Sequence, residues 1–360
     1  MFAFRAPKER WQMGKHVMPV SAETHSETST VFVVRSGATA LATSLLLFAT
    51  GPAVAATYTT FDVNGSSATY AIGINIGGSV TGYYTDLSGN YHGFVRAADG
   101  TITTFDPQGS IGTAPVSINR KGAVTGYYDD GSASHGFVRS AGGKIKRIDP
   151  VGSTSTLSWS INNASAVTGY YYDASGFVYG FIRTADGTVT EFDVNGAEFT
   201  TPVAINGNGD VTGSSEHSNG FIRGFLRTAD GTITGFDVPG ENDPAPNAIN
   251  GKDVIAGYAN NGTGTSTGFV RAADGTVTTF DPAESTATIA LSINAKGAIA
   301  GFWRNGNGAD HGFVRSGTGT ITSFDPPGAT ATEALSINDN GVIAGFYSES
   351  TGTHGFIRAP

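Results

Sequence analysis

Cysteine is missing altogether from the 360 residues. That excludes a disulfide framework, a thiolate metal site, a catalytic thiol and a lipid-modified N-terminal Cys. Charge is scarce too: Asp, Glu, Lys and Arg make up 14% of the chain, and the excess of acids gives a formal charge of −9. Such a chain repels phosphate backbones, so a nucleic acid is excluded as a partner. No apolar stretch reaches the ~18 residues of a membrane-crossing helix, so no integral membrane domain is expected. Apolar residues nowhere follow the helical period. The glycine-rich loops have no following helix, which removes the usual phosphate cradle, and no cofactor is expected. His is sparse, with no His-x-x-x-His pair and no carboxylate triad. No catalytic residue and no metal ligand set is therefore assigned, and calcium is expected only weakly, at acidic loops.

What the chain has instead is glycine, 51 residues of it, together with 11% aromatics and a repeat. From Tyr58 onward an Ile-Asn pair is followed by Gly-aromatic, then Gly-Phe-aliphatic-Arg, then aromatic-Asp, at a period of 43 or 44 residues. The Asn falls at Asn75, Asn119, Asn162, Asn206, Asn250, Asn294 and Asn338. Only Gly213-Ser214 and Ile148-Asp149 break the aromatic rule. A period of this length built from short apolar runs marks a repeat architecture. Within one copy, Ser117 to Asn119 is a short strand and Asn119-Arg120-Lys121-Gly122 a tight turn. Ala123 to Tyr128 and His135 to Arg139 are two further strands, and a three-residue hairpin leads to a fourth, Lys144 to Asp149. The recurring glycines of the second and third strands, Gly82 and Gly93 in the first copy, are expected under aromatic rings such as Phe94 or Tyr127.

Four antiparallel strands per ~44 residues is the length of a propeller blade. The fold class expected is all-β: a seven-bladed β-propeller over residues 57–360. The chain opens on a lone fourth strand, Tyr58 to Asp62, and ends after a third, His354 to Arg358. Pairing the two closes the ring three strands plus one and satisfies both edges. Residues 1–56 stand outside the repeat. Arg5, Lys8, Arg10, Lys15 and Arg35 precede an apolar stretch from Ala38 to Ala49, and Ala53-Val54-Ala55 follows. That is the order of a secretory signal, so export with cleavage near Ala55 is expected, to the periplasm or the exterior.

Written out in full, the repeat resembles the bacterial HAF-repeat family, a group of probable extracellular repeat proteins. The signature reads His-Gly-Phe at His92, His135, His311 and His354, and Tyr-Gly-Phe, Arg-Gly-Phe and Thr-Gly-Phe at Tyr179, Arg223 and Thr267. Gly stands where the family's name has Ala. The resemblance spans the whole mature chain and implies export.

Register explains the recurring His and Asp without catalysis. Counting outward from the hairpin, His92 faces Asp106, His135 faces Asp149, His311 faces Asp325 and, across the closure, His354 faces Asp62. Tyr179, Arg223 and Thr267 occupy the same place opposite Asp193, Asp237 and Asp281. Every partner is a hydrogen-bond donor, and a feature repeated in each unit reads as architecture.

Function is expected where the units differ. Loops joining second to third strands share a face with the loops that cross to the next unit, and acids crowd there: Asp86, Asp129, Asp130, Asp173, Glu216, Asp310 and Glu349, with Glu241, Asp243 and Glu333 on the crossing side. Tyr84, Tyr128, Tyr171, Trp303 and Tyr347 end the second strands near this face, Arg304 beside Trp303. The seven third-strand arginines, Arg96 onward, gather at the opposite, hairpin end, so the loop face is expected to be negative. Three readings follow: a binding or protein-interaction module whose acidic loop face takes a glycan, a peptide or a basic protein; a hydrolase or lyase acting on an extracellular polysaccharide through a loop carboxylate pair, Asp129 with Asp130 or Glu241 with Asp243; and a purely structural surface protein. An enzyme should show an acid in or beside the axial pocket with a raised pKa and no donor; a binding module should show an open aromatic shelf with no such group.

Overall fold

The structure, a computed structural model, describes residues 56–262 and 264–360. The expected leader before Ala56 and its cleavage point near Ala55 lie outside the described residues. Among the described residues there are 28 strands and no helix, hence no helix long and apolar enough to cross a membrane.

One unit shows how the repeat folds. Strands Gly112–Ile118, Val124–Asp129, Ser134–Arg139 and Ile145–Ile148 pair antiparallel in sequence order. At the first turn the Asn119 side-chain oxygen accepts the N–H groups of Lys121 and Ala123, each at 3.0 Å. This is how an Asn substitutes for backbone partners in a tight turn. Gly122 takes the left-handed conformation that the turn requires, φ 79°; Ser165 and Asp253 occupy the same turn position at φ 65° and 58°.

The Asn has a second task that only the assembled units reveal. Its amide N–H donates to the backbone carbonyl of the next unit's Asn. Asn75 bonds Asn119 at 3.1 Å, and the series continues through Asn162, Asn206, Asn250 and Asn294 to Asn338, which bonds Asn75 at 3.0 Å. All seven are buried, and each amide is satisfied on both sides, as burial demands. The opening strand Thr57–Phe61 pairs antiparallel with Gly352–Ala359, Tyr58 opposite Arg358 and Phe61 opposite Gly355, the pairing expected from the sequence.

Neighbouring units pack through aromatics. The Phe of each Gly-Phe-aliphatic-Arg run, Phe94 to Phe356, is wholly buried. Phe137 meets Phe105 of the preceding unit edge to face at 5.9 Å, a geometry favoured by the ring quadrupole. The arginines expected as a positive surface at the hairpin end are tied down. Arg139 lies over the Phe105 ring at 4.8 Å while its Nη1 donates to the Ser140 carbonyl. Arg96, Arg227, Arg271, Arg315 and Arg358 repeat the arrangement over Phe61, Phe192, Phe236, Phe280 and Phe324. The partner that Arg183 would have is Ile148, the one residue that breaks the aromatic-Asp pattern. Replacing Arg139 by Ala is therefore expected to cost about 1 kcal/mol more than replacing Arg183, the worth of one half-buried cation–π contact. Urea unfolding of the two variants measures the difference.

The glycines are needed for two reasons, one of them the aromatic cover that the sequence suggested: an added Cβ would meet Phe269 at 2.8 Å from Gly257, and Phe313 and Phe356 at 2.9 Å from Gly301 and Gly345. A Cβ on Gly126 would stand 2.1 Å from the Ala114 carbonyl oxygen, because the first strand bulges between Pro115 and Ser117. The obstacle is backbone, which cannot step aside. At the third-strand Gly93 the covering ring is Phe105 of the fourth strand, with Cζ 3.0 Å from the ideal Cβ.

Candidate functional site

All four His–Asp contacts expected from register are present. His92 Nδ1 lies 2.7 Å from Asp106 Oδ2, His135 3.1 Å from Asp149, His311 2.8 Å from Asp325 and His354 2.8 Å from Asp62. Arg223 takes the place of His with a bidentate pair to Asp237, 2.9 and 2.8 Å. Two partners were not foreseen. The other His nitrogen reaches a second acid from the loop just before it: His135 Nε2 lies 3.0 Å from Asp130, His92 3.4 Å from Asp86 and His354 3.4 Å from Glu349. An acid five or six residues ahead of the His was the signal. The second Asp oxygen accepts a hydroxyl from the next unit's first strand, Thr113 to Asp106 at 2.6 Å and Thr200 to Asp193. The motif thus braces strand to strand and unit to unit. Burial opposes charge on His92, but its two carboxylates prevail and lift its pKa above the ordinary 6.5. Its contribution to stability is full below that value and is lost as pH rises through the raised one.

The aromatic residues proposed for binding pack against these same side chains. Tyr84 lies on His92 at 5.2 Å, Tyr128 on His135 at 5.2 Å, Tyr171 on Tyr179 at 5.6 Å, Trp303 on His311 at 4.9 Å and Tyr347 on His354 at 5.4 Å. Tyr128, Tyr171 and Tyr347 are buried, so their faces form no open shelf. Trp303 remains half-buried, its indole N–H donating to Ser323 Oγ at 2.9 Å. Arg304 is held by Asp310 in a bidentate pair, 2.8 and 2.9 Å.

The acids of the loop face divide by environment. Asp130 accepts the Ser132 hydroxyl and amide and the Ala133 amide, with His135 alongside, which holds its carboxyl well below the usual range. Asp173 caps its loop through the amides of Ser175 and Phe177, and Asp129 accepts from Ser134 at 2.5 Å. Glu216 sits half-buried near a second-strand end, while Asp243 is exposed at φ 43°. The Glu241 Oε2 is buried without a hydrogen-bond partner. Glu333 is not on the crossing loop as expected but inside a first strand, Ala331–Ile337, and only 8% exposed.

One feature of this face follows neither charge nor repeat. The large apolar residues exposed among the described residues are Leu87, Tyr91, Ile111, Val151, Phe177 and Phe221. Each lies on or beside a loop of the loop face, and each belongs to the first four units, residues 66–236. The remaining three units expose no large apolar residue there among the described residues. Apolar residues in Gly- and Ser-rich loops were the sequence signal.

No protein-family model and no curated protein matches the sequence. Solved structures do. The β-propeller domain of the trilobed protease from Pyrococcus furiosus superposes with a TM-score of 0.58 at 11% identity, over 81% of this chain and 94% of that one. The fold is a β-propeller. A streptogramin B lyase gives 0.56 at 14% identity, covering 84% and 97% of the two chains. The BP39L lectin of Burkholderia pseudomallei gives 0.53 at 11% identity, covering 81% and 96%. Their chemistry differs and their identity is low, so the likeness concerns the fold alone.

Two cavities of about 280 Å³ each mark the propeller. One opens at the turn end and is lined by the Ile-Asn pairs, from Ile74 and Asn75 round to Asn338. Its amides are already committed to the Asn ring. The other lies on the loop face between the first two blades, lined by Asn90, Tyr91, His92, Asp106, Ser110, Ile111 and Gly112. Among the described residues no group of three or more His, Asp or Glu is placed to hold a metal ion. Glu333 lines neither cavity. Burial, with Asp310 adding to it against Arg304, pushes its carboxyl up to about 8, and its Oε2 has no hydrogen-bond partner. A second acid pair, unseen in the sequence, sits at the turn end. Asp210 and Asp253 share the Asn206 amide at 2.9 Å each. Burial and its neighbour Asp210 raise the Asp253 pKa.

Proposed function

We propose that the chain is an exported propeller of the HAF-repeat kind, with seven blades closed three plus one by its N-terminal strand, and that it works as a binding module through its loop face. The cyclic Asn series and the pairing of Thr57–Phe61 with Gly352–Ala359 support the closure. The binding reading rests on one observation: the exposed apolar residues all gather on the loop face, on four adjacent blades. Exposed apolar surface confined to one sector of one face marks an interaction site. Loop faces on rigid scaffolds are where binding usually resides.

A glycan and peptide array probed with the chain from Ala56 onward tests this. Hits are expected that disappear when Leu87, Val151 and Phe177 are replaced by Ser. Hits that survive those three changes would overturn the loop face as the binding surface. Export is tested by sequencing the secreted protein, with Ala56 the expected N-terminus.

A catalytic reading keeps one observation in its favour, the donor-free Glu333 with its raised pKa. It is the acid an extracellular polysaccharide hydrolase or lyase would need. Turnover of a polysaccharide panel, lost in Glu333→Gln, would establish it. Because Glu333 is 8% exposed inside a first strand, the binding reading stands ahead.

A further inference from the structure

We propose that the cavity between the first two blades takes the side chain of an arginine or lysine presented by an apolar peptide segment. This rests on the loop-face reading above and names its partner. The cavity walls are apolar and its floor is polar. Tyr91 and Ile111, 44% and 65% exposed, stand at its sides. Tyr91 is braced edge to face on Tyr83 at 5.6 Å, and Tyr83 is stacked on Tyr70 at 4.7 Å, so the wall is rigid before any ligand arrives. At the floor Asp106 presents a carboxylate whose side chain is 37% exposed. One of its oxygens accepts from His92 and the other from Thr113. Each oxygen has a second lone pair, so each can accept one more N–H. A long basic side chain fits this division, its alkyl stem along the apolar walls and its charged head at the carboxylate.

Charge selects the cation. The arginines of the loop face, Arg147, Arg223 and Arg304, are each bound to an acid: Asp149, Asp237 and Asp310. His92 stands between Asp86 and Asp106, so the trio stays negative even when the imidazole is protonated. An anionic polymer meets repulsion here. A neutral sugar gains nothing from the field, and of the two apolar walls only Tyr91 offers a ring for it to stack on. Leu87, 85% exposed, belongs to the loop beside Tyr91 and is available to apolar residues of the same segment.

The test is fluorescence anisotropy with a labelled peptide Ser-Leu-Arg-Leu-Ser and its counterpart with Glu in place of Arg. The Arg peptide is expected to bind and to weaken with added salt, and the Glu peptide not to bind. The double variant Tyr91→Ser with Ile111→Ser changes only exposed side chains, and should weaken binding at least about tenfold. Asp106→Asn should do the same, with its thermal melt checking that the brace to His92 survives. Asn307→Ala, on the far side of the same face, should leave affinity unchanged. Full affinity in the Tyr91/Ile111 variant overturns the cavity assignment. If Phe177→Ser with Phe221→Ser then abolishes binding, the loop-face reading stands without this cavity; if no loop-face change matters, both fall. No binding of the Arg peptide below about 1 mM, or equal binding of the Glu peptide, overturns the choice of a basic partner, as does an array hit on a glycan alone.

Discussion

Replacing Glu333 by Gln is expected to stabilise the propeller by about 3 kcal/mol at pH 7, and to remove most of its loss of stability toward alkaline pH. The carboxyl is 8% exposed, and burial lifts its pKa from 4.5 to about 8. Between those values the folded chain holds a proton that the unfolded chain has released. Stability therefore falls as pH rises across that window, by about 1.4 kcal/mol per unit. The wild-type loss begins near pH 4.5 and is complete once pH passes the folded value. Gln keeps the shape and cannot ionise. The other six repeats carry Tyr70, Ala114, Leu157, Thr201, Ala245 and Ile289 at this place, so the fold itself has no need of an acid there. Urea unfolding at pH 5 and pH 8 decides it: a wild type as stable at pH 8 as at pH 5 would show that the carboxyl is solvated or paired after all.

Removing the opening strand is expected to be the most damaging change of all. A chain beginning at Val63, compared with one beginning at Ala56, loses the pairing with Gly352–Ala359. Phe61 goes with it, and Phe61 meets Phe94 edge to face at 6.0 Å, lies under Arg96 at 5.0 Å and covers Gly355. Tyr58 goes too, and with it the contacts to Phe324 and Phe356, 6.4 Å each. Asp62 no longer braces His354. Losing two aromatic anchors and a strand's hydrogen bonds costs on the order of 5 kcal/mol or more, comparable with the whole stability of a domain. The truncated chain should lack a cooperative thermal transition, and a synthetic peptide covering residues 56–63 should restore it in trans. A truncated chain that melts cooperatively at the wild-type temperature would show that this strand does not close the ring.

Much of this molecule was readable before any coordinates. Strand order, turn positions and the His–Asp contacts follow from local rules. A three-residue hairpin fixes the register of the strands it joins, and from there His92 opposite Asp106 is a matter of counting. The pairing of the first strand with the last also needed no geometry, since both carry unsatisfied edges and each supplies what the other lacks.

Other features were closed to this kind of reading because they join residues with no local relation. The Asn to Asn series links positions 43 or 44 residues apart, and the last repeat to the first through Asn338 and Asn75. Only the wheel of blades brings those turns together. The guanidinium stacks depend on which face of one blade meets the next, so six of the seven third-strand arginines also serve as inter-blade struts. The tyrosines ending the second strands looked available because they lie near the loop face, but their cross-strand partners had taken their ring faces. Glu333 read as a loop acid because the strand boundary beside it is a few residues uncertain in sequence, and burial turns on that boundary. The sector of exposed apolar residues was visible in neither period nor composition. The sequence by itself determined the repeat, the strands and the contacts that one hairpin can set. Which side chains are left facing water, and which share one face, was decided only when blade packed on blade, because exposure is what remains after every neighbour has taken its contact area.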